Sequence, residues 1–180
     1  MGTLNIRMMG SFSINNDRED LFSKLSSKSA AIIALLVCNE NRKMARDKLA
    51  SVLWADSFET ANYNLRYNLW NIKKVIPCDD SGNEFIISTK DYCCINPDYG
   101  FECDLMALEG IALKEGEKED QQLIDKLIFA RKNLKGDFLD QFYIKDSDDF
   151  NEWVLFQRAR YQKKHIQSLN LLLDYYTREG

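Results

Sequence analysis

Thr60-Ala61-Asn62-Tyr63-Asn64-Leu65-Arg66-Tyr67-Asn68-Leu69-Trp70-Asn71-Ile72-Lys73-Lys74-Val75-Ile76 is the stretch on which the reading of this chain turns. At about 100° per residue, Ala61, Leu65, Leu69, Ile72 and Ile76 fall within one arc of a helix, which predicts a buried face. Asn64, Tyr67, Asn71 and Lys74 recur at i, i+3, i+7 and i+10, and this spacing is read as the opposite stripe. Arg66 and Lys73 flank it, and no acid follows Glu59. A merely solvated face is normally filled by the good helix formers Glu, Lys and Gln, so amides and tyrosine ask for another reason. Amides read base edges and cations hold phosphates, which suits a helix laid in a major groove. An ordinary polar surface is the plain alternative.

Working outward, the 180 residues suffice for one or two compact domains, and 45% hydrophobic with 29% charged residues is a globular composition. No apolar run approaches 18 residues and no signal pattern opens the chain, so a cytoplasmic protein without a membrane partner is expected. The five cysteines, Cys38, Cys78, Cys93, Cys94 and Cys103, make no C-x-x-C pair, and the single His165 is distant in sequence. No metal site is expected, only reduced and mostly packed thiols. The net charge of −4 conceals an uneven distribution. Nine Lys/Arg face four acids between Lys24 and Ile76, whereas residues 101–180 hold twelve bases and sixteen acids. A basic module joined to an acidic one suits a nucleic-acid face and a protein face.

Leu4–Ile14 reads as one or two short strands, and Asn15–Asp20 as a polar turn. Ser26-Ser27 offers an N-cap for a helix over Lys28–Asn39, with Ala31, Ile32, Leu35 and Leu36 inward. A second helix covers Arg46–Trp54, and the loop Ala55–Glu59 leads into the helix quoted above. Pro77 and the turn Cys78–Asn83 stop that helix. Phe85–Asn96 reads as a hairpin around Thr89-Lys90-Asp91. Short N-terminal strands, three helices and a C-terminal hairpin describe an α+β winged helix, in which the third helix enters DNA and the hairpin wing grips the backbone.

The run Arg46-Asp47-Lys48-Leu49-Ala50-Ser51-Val52-Leu53-Trp54-Ala55-Asp56, with Asn64-Leu65-Arg66 and Ile72-Lys73-Lys74-Val75-Ile76, closely resembles regulators of the SARP type. These join an OmpR-type winged helix to a bacterial transcriptional activator domain. Cys103-Asp104-Leu105, Lys135-Gly136-Asp137-Phe138-Leu139 and Glu152-Trp153 resemble the start of that second domain. The resemblance covers nearly the whole chain and implies a winged-helix domain over residues 1–100 and a helical activator region over 101–180. Three positions depart from the family pattern. Ala45 replaces the usual serine cap of the second helix, Asn71 stands where an arginine is common, and the hairpin tip Thr89-Lys90-Asp91-Tyr92 lacks the glycine-rich form.

From Phe101 onward a wholly helical chain is expected: Asp104–Lys114, a charged turn over Lys114–Asp120, Gln121–Leu134, and a long helix to Thr177 capped by Ser147 or Asp146. The loop Gly136–Asp146 is too apolar to be a free linker, so it should be packed. The resemblance implies tetratricopeptide-like helix pairs here. Leu169, Leu172, Leu173 and Tyr176 then form an interaction face covered either by more of a longer regulator or by a second copy in a homodimer.

There is no glycine-rich phosphate loop, and no serine or cysteine nucleophile has a base nearby in the pattern, so neither a cofactor nor catalysis is expected. The expected function is that of a transcriptional activator binding double-stranded promoter repeats and meeting RNA polymerase or other transcription machinery. Asn64, Tyr67 and Asn71 are the expected base readers; Arg66, Lys73, Lys74, Lys43, Lys48 and Lys90 are the expected phosphate partners. The alternative is a protein-interaction scaffold whose winged helix no longer binds DNA.

Overall fold

The computed structural model describes residues 2–39, 43–55, 58–109 and 121–179. Among them lie six α-helices and six short strands. In chain order these are β1 (Leu4–Arg7), β2 (Ser13–Asn15), α1 (Ser27–Val37), β3 (Met44–Ala45), α2 (Arg46–Leu53), α3 (Phe58–Val75), β4 (Ile86–Ser88), β5 (Tyr92–Ile95), β6 (Phe101–Cys103), α4 (Asp104–Glu109), α5 (Gln121–Asn133) and α6 (Asp148–Glu179). Two three-stranded sheets run in the orders β2-β1-β6 and β3-β5-β4. The chain forms two compact units that interleave along the sequence. The first comprises residues 1–5, 13–101 and 143–153, and the second 6–12, 102–142 and 154–180.

In the first unit α1 is the central helix, with Ser29 to Leu36 all buried. Its start follows the expected chemistry, because the Ser26 side chain accepts from the Ser29 N–H at 3.0 Å. Helix α2 buries Leu49, Ala50 and Leu53 and has no side-chain cap at Ala45. The backbone supplies what the missing serine would have given. Strand β3, not foreseen from the sequence, pairs Met44 with Cys93 and Ala45 with Tyr92 on β5, so the Arg46 N–H reaches the Asp91 carbonyl at 3.0 Å. One orphan donor of the first turn is thereby satisfied.

The hairpin is antiparallel, with Ile86 opposite Ile95, Ile87 opposite Cys94 and Ser88 opposite Cys93. At its tip the Thr89 hydroxyl accepts from the Tyr92 N–H at 3.1 Å, while the Arg46 guanidinium donates to the Ser88 hydroxyl at 2.7 Å. The turn that stops α3 is built on Asp79, which accepts from the Asn83 side chain at 3.0 Å and from the Asn83 and Ser81 N–H groups at 2.8 and 2.9 Å. Those bonds, the Asn83 side chain foremost, hold its carboxyl below the ordinary carboxylate range. Ser147 lies just ahead of α6, as expected, yet its hydroxyl donates to the Leu53 carbonyl at 2.9 Å, at the C-terminus of α2.

The second unit corrects the expectation of a wholly helical region after Phe101, because residues 101–103 are strand β6. The chain there enters a sheet before its first helix. The Asp104 carboxylate follows at once and accepts from the Met8 and Met9 N–H groups at 2.9 and 2.8 Å. The segment Gly136–Phe142 is packed, with Phe138 and Leu139 fully buried. It pairs by backbone with residues 8–10: Leu139 N–H to Met8 O at 2.7 Å, Gly10 N–H to Asp137 O at 2.8 Å and Asp140 N–H to Gly10 O at 3.0 Å. Gly10 holds φ at +95°, and a Cβ there would lie 3.3 Å from the Lys135 carbonyl oxygen, so a side chain has neither the dihedral nor the room.

Helices α5 and α6 share a small core of Ile124, Leu127 and Leu172. This divides the interaction face expected on α6. Leu172 is buried against α5, whereas Leu169, Leu173 and Tyr176 are exposed. Leu172 lies about 100° from Leu173 around the helix, enough to put it on the inner side. The expected turn over Lys114–Asp120 and the last residues of the expected Asp104–Lys114 helix lie outside the described residues, as do Arg42 and Asp56.

Candidate nucleic-acid interface

Helix α3 buries Ala61, Leu65, Asn68, Ile72 and, just past its end, Ile76. The core arc is the one its periodicity predicts, with Leu69 half-buried beside it. The outward crest differs from the expected stripe. Asn64 precedes Leu65 and Asn71 precedes Ile72, so each stands about 100° from a core residue, on the flank of the helix. Tyr63 and Trp70 lie two residues before the same core positions, about 160° away, and point outward. They are 70% and 54% exposed, and Tyr67 is 57% exposed.

The asparagines are therefore divided by depth. Asn68 is buried, and its carbonyl oxygen accepts from the Ser26 and Ser29 hydroxyls at 2.7 and 2.9 Å, while its amide donates to the Asn64 carbonyl at 2.8 Å. Asn71 is half-buried, and its side-chain oxygen lies 3.0 Å from the Ser29 hydroxyl, whose single proton it shares with Asn68. Asn64 is half-buried with its amide 3.4 Å from the Thr60 hydroxyl. The amide-rich composition of α3 thus serves in part to tie this helix to the first turn of α1. Of the three expected base readers, Tyr67 stands on the crest; Asn64 and Asn71 do not.

The crest has internal order. The Tyr67 and Trp70 rings lie 6.0 Å apart, and the Lys74 ammonium sits 5.2 Å from the Trp70 ring centroid. Sequence reasoning missed Tyr63 and Trp70. Counting positions back from each core residue, rather than counting along the polar stripe, would have found them.

The cations separate into engaged and outward groups. Lys24 is paired with Glu19, and Lys73 with Glu84. Lys28 donates to the Leu53 carbonyl and lies over the Trp54 ring. Arg66 and Lys74 are exposed on α3, Lys48 on α2 and Lys90 at the hairpin tip. Lys43 is exposed and lies 4.7 Å from the Tyr92 ring centroid. Of the six expected phosphate partners, Lys73 is drawn into an ion pair with Glu84 that is itself solvent-exposed. Lys74 and Asn71 also line a surface cleft with Asn16, Arg18 and Lys24.

Cys93, Cys94 and Cys103 are buried and take part in no disulfide. Burial pushes the Cys94 thiol up, against an opposing pull from Lys43. Among the described residues no three His, Cys, Asp or Glu side chains come together in a way that could hold a metal ion. No described helix is long and apolar enough to cross a membrane.

No protein-family model matches the sequence, and neither does any curated protein. The structure is similar to that of Mycobacterium tuberculosis EmbR, solved in complex with a low-affinity phosphopeptide, at a TM-score of 0.67 and 20% identity over 96% of this chain. The fold is SARP-like. This chain spans 45% of the length of the EmbR chain. At that identity the likeness speaks for the fold alone. Within this frame the crest of α3 presents three exposed rings with cations beside them.

Proposed function

We propose that this chain is a DNA-binding transcriptional regulator, an activator that lays α3 in the major groove of promoter repeats. Residues 1–100 form the winged-helix domain, with hairpin β4–β5 as its wing, and residues 101–180 belong to a tetratricopeptide-like activator region that meets the transcription machinery. No catalytic step is assigned to it, and its place of action is the cytoplasm. The observation that carries this reading is the outward face of α3. It presents Lys74, with Arg66 exposed on its flank, and Lys43, Lys48 and Lys90 are exposed elsewhere in the same unit. The SARP-like fold supports it. Exposed rings at Tyr63, Tyr67 and Trp70 favour a second reading, in which α3 meets a protein groove and binds no DNA.

Salt dependence separates the two readings. Each cation that neutralises a phosphate contributes about −0.9 to the slope of log K against log salt. Arg66→Ala and Lys74→Ala should each weaken binding to random duplex DNA and reduce the magnitude of that slope by roughly one unit. Unchanged slopes in both variants would remove α3 from the phosphate backbone and leave the protein-groove reading.

The second unit is proposed to self-associate. Ile166, Leu169, Leu173 and Tyr176 are all exposed and recur at i, i+3, i+7 and i+10, the spacing of a helix–helix seam. Leu169→Lys combined with Leu173→Lys should lower the mass in light scattering to the 21.0 kDa of one chain. A parent protein already monomeric at high concentration would end this part of the proposal.

A further inference from the structure

Asn71 and Asn64 lie on the flank of α3, and what remains on its crest is largely apolar. Tyr63, Tyr67 and Trp70 follow one another at i, i+4 and i+7, more than half exposed each. Seven residues advance about 10 Å along a helix, close to three base-pair steps of about 3.4 Å. Three large rings kept in water on one face mark a contact surface, since their exposure forgoes the gain of burial. Arg66 and Lys74 beside them indicate a polyanion as the occupant. The 5-methyl group of thymine is the apolar feature that the major-groove code presents to such rings.

We infer that this chain selects its DNA sites through thymine methyl groups packed against Tyr63, Tyr67 and Trp70, so that the rings rather than the amides set the sequence preference. This rests on the DNA-binding reading above. Trp70 is braced by two neighbours. Tyr67 lies against one side of it, and Lys74 sits over its ring with a cation that can then meet the adjacent phosphate. Asn71 is half-buried on the flank, with its side-chain oxygen 3.0 Å from the Ser29 hydroxyl on α1, so it stands back from the crest.

The test uses the full chain and a duplex of alternating dA and dT about 24 base pairs long, beside the same duplex with every dT replaced by dU. The replacement removes the methyl groups and leaves the hydrogen-bonding edges unchanged. Burial of one methyl is worth about fourfold in affinity, so two or three methyls predict a loss of roughly tenfold or more on the dU duplex. Tyr67→Ala and Trp70→Ala should each cut the dT preference by about fourfold while keeping the salt slope of the parent. Both side chains are exposed, so neither change should unfold the protein, and circular dichroism checks this. Salt-dependent binding with equal affinity for dT and dU would overturn the inference and leave the DNA-binding reading standing. A dT preference undiminished in both variants would also overturn it, because the preference would then come from duplex shape. Absence of salt-dependent binding to any duplex would defeat the DNA-binding reading and the inference together.

Discussion

Phe138→Ala is expected to destabilise the protein by about 3–5 kcal/mol, a large part of the margin of an ordinary domain. Phe138 is fully buried, and its ring is stacked on Tyr161 at 5.2 Å. Its backbone is held as firmly as its ring. The Arg158 guanidinium donates to the carbonyls of Phe138 and Leu139 at 2.9 and 2.7 Å, and Leu139 itself sits at φ +46°. A residue other than glycine in that left-handed region is costly, and it persists only where its surroundings over-determine it. Removing the ring opens a cavity beneath a strained turn, so the turn should loosen with the core. Urea denaturation followed by tryptophan fluorescence measures the loss. Phe138→Leu, which keeps most of the apolar volume, should cost clearly less. Equal stability of Phe138→Ala and the parent would mean that this segment does not anchor the second unit.

Asp104→Ala is the next largest, at about 2–4 kcal/mol. The carboxylate accepts from the Met8 N–H through both oxygens, at 2.9 and 3.0 Å, and from the Met9 N–H at 2.8 Å. Met8 and Met9 are both buried, so alanine at 104 leaves their donors without the carboxylate and with little water to replace it. Asp104→Asn keeps one acceptor oxygen without the charge and should fall between the two. Amide hydrogen exchange gives the specific readout: Met8 and Met9 should exchange much faster in Asp104→Ala, beyond what global destabilisation explains. Unchanged protection at these two amides would show that the carboxylate is not their effective partner.

Both residues belong to short motifs that drew attention through resemblance, Cys103-Asp104-Leu105 and Gly136-Asp137-Phe138-Leu139. Their roles here are structural. One receives backbone donors from the chain near its start, and the other fills the core beside Tyr161. Neither role follows from spacing, because the partners are far away in sequence.

What the sequence determined by itself was local. Helical periodicity located α2 and α3 within a few residues, because burial of one face repeats every 3.6 residues whatever lies against it. Ser26 announced the start of α1, and the Thr89-Lys90-Asp91 turn framed a hairpin, since caps and turns are decided by neighbouring backbone. The apolar loop after Gly136 was legible as packed for the same reason that any run rich in Phe and Leu leaves water. Tertiary structure alone decided the rest. The short strands β3 and β6 have too few residues to show a period and exist because partners accept their hydrogen bonds. Leu172 separated from Leu173 because α5 covers one side of α6. In the candidate interface the helix and its cations were readable, but the exposed crest was not. The roughly 100° step turned Asn64 and Asn71 to the flank, and Ser29 on α1, distant in sequence, then engaged Asn71 and left Tyr63, Tyr67 and Trp70 to face outward.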